Sequence, residues 1–208
     1  MTAEWPEALQ RGVAGAIHPG ETRSGDVAVF APTAAGGLAA LIDGLGHGDE
    51  AADAAEAAAE VLRAHAHEEA GALLARCHET LRGTRGAVMT LAWFDLERAE
   101  LEWTGVGNVE ARILQTEPDR PGSADSALVF AGVVGYQLPK VRPSRKPLRH
   151  GDTVVLATDG IEPLFADSIS MELRVDAQVL AERVLDRHGR GTDDAMVVVV
   201  RYLVEDRG

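Results

Sequence analysis

Aspartates beside apolar segments are the residues of this chain best suited to chemistry. Four of them stand at or next to an end of a segment that is typical of a buried strand: Asp26, Asp43, Asp159 and Asp193. Because a sheet holds the backbone at a strand end, converging strands would bring these carboxylates together. Crowded carboxylates raise each other's pKa. Hard divalent cations relieve such crowding, which makes a Mg²⁺ or Mn²⁺ site one interpretation.

A glycine follows two of these aspartates, in the pairs Asp43-Gly44 and Asp159-Gly160. Glycine lets a backbone carbonyl approach a metal ion without a side chain in the way. However, Asp-Gly after a strand is also a common turn, so each pair alone favours a structural role. From spacing alone, the metal site and the ordinary turn are about equally supported.

The elements that would position the aspartates are short strands and three helices. Helical spacing of apolar residues predicts helices over 49–62, 73–81 and 177–185. Consecutive apolar or alternating segments between 88 and 113 predict strands without intervening helices. Consecutive strands favour antiparallel pairing and therefore an α+β fold. Surface loops are expected over 117–126 and over 143–151, the second of which is basic.

The composition of the chain is typical of a single globular domain and argues against several classes of partner. The chain has 208 residues, a formal net charge of −13 and an apolar fraction of 46%. This acidic balance argues against nucleic acid or an anionic membrane as the main partner. Neither a membrane-spanning segment nor a signal peptide is expected. With Cys77 as the single cysteine, an intramolecular disulfide is excluded. The composition predicts one cytoplasmic domain over 1–208, with its core at about 12–204.

The ordered motifs of the chain resemble a known family. They are SGD at 24–26, LIDGLGHG at 41–48, TGVGN at 104–108, GVVGYQLP at 132–139, ATDGIEP at 157–163 and GTDDAMVVVV at 191–200. In this order they resemble the PPM-type (type 2C) metal-dependent protein serine/threonine phosphatases, in the bacterial branch that includes the sporulation phosphatase SpoIIE. The GVVGYQLP segment is similar to the RsbX-type stressosome phosphatases of that branch.

The resemblance implies a four-layer α-β-β-α sandwich, with two central antiparallel sheets flanked by helices and two Mn²⁺ or Mg²⁺ ions at one end. Asp43 would bridge the ions, and Asp43, Asp159 and Asp193 would be the catalytic residues. The implied metal ligands are Asp26, Asp43, the Gly44 carbonyl, Asp159, Asp193 and Asp194. Arg23 is a candidate for binding substrate phosphate, although its offset from Asp26 differs from that of the eukaryotic arginine. Gly25 stands where many eukaryotic members have glutamate.

The implied activity is hydrolysis of phosphoserine or phosphothreonine by a metal-activated water. The implied partner is a phosphorylated STAS-type regulatory protein or another stressosome component. His47 is a candidate for proton delivery to the leaving group, and a turn residue beside the site is its alternative role. The alternative to an enzyme is a non-catalytic PPM-like domain that binds a phosphoprotein or a switch partner.

Overall fold

A computed structural model describes residues 4–115, 124–163, 165 and 175–204. These residues form eleven strands and three helices, in an order of strands, two helices, strands, helix and strand. The strands are β1 (Leu9–Ala16), β2 (Asp26–Thr33), β3 (Gly36–Gly44), β4 (Ala87–Asp95), β5 (Glu100–Val106), β6 (Glu110–Leu114), β7 (Ala124–Ser126), β8 (Val129–Phe130), β9 (Ser144–Pro147), β10 (Thr153–Ala157) and β11 (Ala195–Tyr202). The helices are α1 (Asp49–His65), α2 (Ala70–Thr80) and α3 (Ala177–His188).

The strands form two sheets. The first has the order β1-β11-β10-β6-β7, and the second has the order β2-β3-β4-β5-β8, with β9 also paired to β5. All pairings are antiparallel except the short one between β5 and β8. The predicted antiparallel α+β architecture is therefore confirmed.

Three apolar layers hold the sandwich together. The middle layer lies between the sheets and contains Trp103, Leu41 and Val198. Helices α1 and α2 cover the outer face of the second sheet, and α3 covers β1 and β11 of the first. Strand β11 faces apolar surroundings on both sides, with Val198 in the middle layer and Val199 under α3. This two-sided burial explains its continuous apolar sequence.

The prediction of surface loops over 117–126 and 143–151 was partly wrong. Residues 116–123 lie outside the described residues, but 124–126 form β7, which pairs with β6. Within 143–151, β9 pairs with the start of β5. Its basic residues are already engaged, because Arg145 contacts Glu100 and Glu102, and Lys146 contacts Asp125. Among the described residues, no helix combines the length and apolar character needed to cross a membrane.

Candidate metal centre at one end of the sandwich

Two of the candidate aspartates lie side by side in the second sheet. Asp26 is the first residue of β2, and it is the register partner of Asp43 near the end of β3. Just beyond this pair, the Gly44 amide donates a hydrogen bond of 2.9 Å to the Gly25 carbonyl. The pairing therefore fixes both aspartates at one end of the sheet.

The other aspartates reach the same place from the first sheet. Asp159 follows β10, whereas Asp193 and Asp194 precede β11, and these two strands pair antiparallel. The end of β10 consequently lies beside the start of β11. The residues that line the shared pocket are Asp26, Asp43, Leu45, Gly46, His47, Asn108, Asp159, Asp193 and Asp194. The structure thus brings together all five candidate aspartates, from segments up to 168 positions apart.

The crowding of these carboxylates changes their protonation. Burial and then the charge of Asp43 raise the pKa of Asp26 to about 8, against a partial lowering by the Thr158 hydroxyl. Burial and then the charges of Asp159, Asp193 and Asp194 raise the pKa of Asp43 to about 7. Without a cation, the pocket therefore holds protons on its buried carboxyls near neutral pH.

Two neutral side chains orient the aspartates, and neither was assigned a role from the sequence. The Thr158 hydroxyl donates a hydrogen bond of 2.8 Å to Asp26 Oδ2 and accepts one of 2.9 Å from the Met196 amide. Asn108 Nδ2 donates one of 2.8 Å to Asp159 Oδ2. Both residues stand in motifs that were recognised, TGVGN and ATDGIEP. Their polar side chains within these two motifs are the sequence feature that could have identified them as site residues.

Asp194 has a different environment from the other aspartates. Its two carboxylate oxygens accept hydrogen bonds from the His18 amide at 2.8 Å and the Gly25 amide at 2.9 Å. It is 5% exposed. This side chain therefore fastens the segment between β1 and β2 to the start of β11. Since each carboxylate oxygen has two lone pairs, these contacts leave acceptor capacity facing the pocket.

The glycines of the site allow a close approach of helix α1 and of β11. A Cβ on Gly44 would lie 2.1 Å from the Ala51 carbonyl oxygen. A Cβ on Gly25 would lie 3.3 Å from both the Gly44 carbonyl oxygen and Asp194 Oδ2. At Gly160 it would lie 2.1 Å from the Asp194 carbonyl oxygen. A glutamate at position 25 would therefore crowd the Gly44 carbonyl.

Arg23 and His47 were the other candidates near the site. The Arg23 guanidinium contacts Asp49 at 3.4 Å and Asp53 at 2.8 Å on α1, and it is not among the residues that line the pocket. His47 lines the pocket, and its Nδ1 lies 2.7 Å from Glu21 Oε1. The role of Arg23 in phosphate binding stays a prediction.

The donor set of the pocket suits hard divalent cations. Several carboxylates face one space, and no lysine or arginine stands among the described residues that line it. Asp26 is only 4% exposed, so its charge is costly to bury unless a cation or a proton compensates it. Carboxylate oxygens with a backbone carbonyl are ligands of the type that Mg²⁺ and Mn²⁺ accept.

A family model and a relative each match more than half of this chain. The family model described as "Stage II sporulation protein E (SpoIIE)" matches residues 35–203. A relative from Bacillus subtilis (strain 168), "Phosphoserine phosphatase RsbX", is 24% identical over 124 residues. That match spans 60% of this chain and 60% of the relative, which is less than two thirds of the relative's length.

Solved structures share the fold over nearly the whole chain. A structure described as "The bacterial stressosome: a modular system that has been adapted to control secondary messenger signaling" has a TM-score of 0.82 at 29% identity. It covers 93% of this chain and 99% of the other. A crystal structure of RsbX in complex with magnesium has a TM-score of 0.81 at 19% identity, covering 95% and 97% of the two chains.

Proposed function

Because this chain belongs to the SpoIIE family, we propose that it is a metal-dependent protein phosphatase that hydrolyses phosphoserine or phosphothreonine. The single observation that carries the proposal is the convergence of Asp26, Asp43 and Asp159 with Asp193 in one pocket. A binding module would have no need to gather four carboxylates around a buried one, Asp26, at a cost in free energy.

The aspartates and one backbone carbonyl are the proposed ligands of two Mn²⁺ or Mg²⁺ ions. Asp43 stands in the LIDGLGHG motif at the position that the family resemblance assigns to the aspartate shared by both ions, and it lines the pocket with the other four aspartates. It is therefore the proposed bridging ligand, with the Gly44 carbonyl beside it. Asp159 and Asp193 reach the pocket from the first sheet, and Asp26 and Asp194 complete the set. When bound, such ions activate a water and neutralise charge on the phosphoryl oxygens.

The residues of the chain have distinct tasks in this proposal. Thr158 holds Asp26 through a hydrogen bond to Oδ2 and favours its ionised form. Asn108 fixes the orientation of the Asp159 carboxylate. His47 lines the same pocket and is held by Glu21 through Nδ1, which makes it the proposed proton donor to the leaving alkoxide.

The proposed substrate is a phosphorylated STAS-type regulatory protein or another component of a stressosome, in the cytoplasm. The family membership and the likeness to a structure described in a stressosome context support this choice. The basic segment 143–151 offers little attraction for such a partner, because Arg145 and Lys146 are paired with acidic groups. β9 also pairs with the start of β5, whereas Asn108 at the pocket follows its end.

Phosphatase assays test the proposal directly. We expect hydrolysis of p-nitrophenyl phosphate with Mn²⁺, none with EDTA, and dephosphorylation of a phosphorylated STAS protein encoded nearby. Asp43→Asn should abolish both activities and retain the circular dichroism of the folded protein. A folded wild type that binds the phosphoprotein without any metal-dependent turnover would instead identify a non-catalytic module.

A further inference from the structure

A second cluster of potential metal ligands lies on the rim of the aspartate pocket and contains nitrogen donors. It consists of His18, Glu21 and His47, which each offer one ligand atom, and these atoms all lie within 4.8 Å of one another. The imidazole rings of His18 and His47 are stacked, with centroids 4.5 Å apart and an interplanar angle of 12°. Thus the two rings and one carboxylate are already gathered in one place.

A tight turn holds two of the three ligands. The Glu21 amide donates a hydrogen bond of 3.0 Å to the His18 carbonyl, and Pro19 and Gly20 occupy the middle of the turn. Gly20 has a φ of 96°, which together with the preceding proline is typical of a type II turn. The backbone of His18 is also anchored, because its amide donates to Asp194 Oδ1. This turn therefore presents His18 and Glu21 from a fixed backbone.

The side chain of His18 has an unused ligand atom. Its Nδ1 is buried and makes no hydrogen bond among the described residues. Leaving a buried nitrogen without a partner is unfavourable, and a bound metal ion would supply one. Glu21 already lies 2.7 Å from His47 Nδ1, so a carboxylate is in place to complete a histidine-rich site.

From this geometry we infer that His18, Glu21 and His47 form a binding site for a transition-metal ion of the zinc class, distinct from the carboxylate centre beside it. Imidazole nitrogen is a preferred ligand of Zn²⁺, whereas Mg²⁺ takes oxygen ligands. In a tetrahedral zinc site, ligand atoms lie ~3.3 Å apart and the ion lies in the plane of each imidazole, so one of the two stacked rings must rotate out of the stack. The His47 side chain is half-exposed and has room for this rotation. Three protein ligands leave the fourth position to water.

The surroundings favour a cation at this site. The nearby Asp194 carboxylate contacts the His18 amide and adds negative charge beside the site. Arg85 approaches Gly46, but its guanidinium is paired with Glu50. Because His47 lines the aspartate pocket, an ion held here would add positive charge at the edge of that pocket, and it would prevent His47 from delivering a proton to the leaving group.

Zn²⁺ titration in a large excess of Mg²⁺ separates the two sites, since Mg²⁺ saturates the carboxylates. With a chromophoric chelator as competitor, we expect one tightly bound Zn²⁺ per chain. His18→Gln and Glu21→Gln should each weaken Zn²⁺ binding by at least about tenfold, because loss of a residue that only supports a ligand already costs that much. His18→Gln should fold, because the contact with Asp194 uses the backbone amide. His65→Gln is the matched control, since His65 lies 3.2 Å from Glu68 on a different surface.

A spectroscopic measurement identifies the ligands independently of any activity. Zn²⁺ should shift the imidazole NMR signals of His18 and His47 and leave those of His65 and His67 in place. The inference is overturned if wild type binds no Zn²⁺ under excess Mg²⁺, or if both ligand variants bind it with wild-type affinity. Neither result would affect the proposed phosphatase function, which is measured with Mn²⁺ alone.

Discussion

Asp26 and Asp43 are direct register partners across the β2–β3 pairing, and both carboxyls face one pocket. The charge of Asp43 raises the pKa of Asp26, in addition to the effect of burial. Antiparallel pairing of two acidic residues at this position is destabilising by itself. The two carboxylates therefore repel each other when both are ionised, and a bound cation would compensate this repulsion.

This cost predicts an unusual pH dependence for the metal-free protein. The folded-state pKa of Asp26 is about 8, above its ordinary value of 3.8, so the folded state holds an extra proton between these two pH values. The free energy of unfolding should fall as pH rises from about 4 to 8, because the unfolded state then binds fewer protons. In EDTA, Asp26→Asn should be more stable than wild type at pH 8.5, by on the order of a few kcal/mol.

Thermal or urea unfolding at pH 5 and pH 8.5 measures this effect. At pH 5 the stability difference should shrink to about a third of its value at pH 8.5, because pH 5 lies only about one unit above the pKa of Asp26 in the unfolded chain. Asp186→Asn on the exposed face of α3 is the control and should change little at either pH. With Mn²⁺ the order should reverse, since the ion stabilises the native state that retains its ligand. Equal stability differences at both pH values in EDTA would contradict the electrostatic account.

Substitution of Thr158 tests whether the pKa of Asp26 controls metal binding. Its hydroxyl donates to Asp26 Oδ2 and lowers the pKa of Asp26. Thr158→Val should raise that pKa further, so that protons compete more strongly and the pH midpoint of Mn²⁺ binding moves upward. The variant should also lose about 1–3 kcal/mol of stability, because the Met196 amide loses its acceptor.

Thr158→Ser retains the hydroxyl and is the matched control. Calorimetric Mn²⁺ titrations between pH 6 and pH 8.5 should give a wild-type midpoint for the serine variant and a higher one for the valine variant. If the valine variant had the wild-type midpoint, the hydrogen bond to Asp26 would be irrelevant to metal binding.

Asn108 should increase Mn²⁺ affinity because it fixes the orientation of the Asp159 carboxylate. Its Nδ2 donates a hydrogen bond of 2.8 Å to Asp159 Oδ2. Loss of such a partner behind a metal ligand typically costs about 10–100-fold in metal affinity or activity. We expect Asn108→Ala to lower Mn²⁺ affinity within that range with little change in melting temperature. Ser126→Ala removes a side-chain hydrogen bond to Arg112 away from the pocket and should leave Mn²⁺ affinity unchanged. An unchanged affinity in Asn108→Ala would remove Asn108 from the site.

The convergence of the aspartates could be predicted because each stands next to an apolar run. Asp43 and Asp159 follow segments that are buried on both faces, and this burial is visible in the sequence as continuous hydrophobicity. The family resemblance then implied that the strands form two antiparallel sheets flanked by helices. Neither source indicated which neutral donor faces which carboxylate, since this depends on the register of β5, β6 and β10.

The short strands β7 and β9 were not predicted from the sequence, for a different physical reason. Strand β9 consists of Ser144–Pro147, and its alternating residues are exposed or half-buried. No apolar pattern marks it, because it gains its stability from backbone pairing with β5 and from ion pairs such as Arg145 with Glu102. Strand β7 has only three residues and pairs with β6. β9 therefore depends on a strand that is remote in the sequence, whereas β7 depends on the strand that directly precedes it.

The close approach of helix α1 to the site predicts that Gly44 tolerates no side chain. A Cβ at this position would lie 2.1 Å from the Ala51 carbonyl oxygen, a backbone atom that can move only with the helix. Gly44→Ala should therefore cost about 1–3 kcal/mol of stability through overpacking and displace the carbonyl proposed as a metal ligand. Mn²⁺ affinity should fall together with the melting temperature. Gly71→Ala in α2 is the matched control, because a Cβ there meets no atom within 4 Å. That change should be neutral or stabilising by about 0.5–1 kcal/mol, since alanine favours a helix over glycine. If Gly44→Ala melted and bound Mn²⁺ as the control does, the packing of α1 against the metal centre would not be as described.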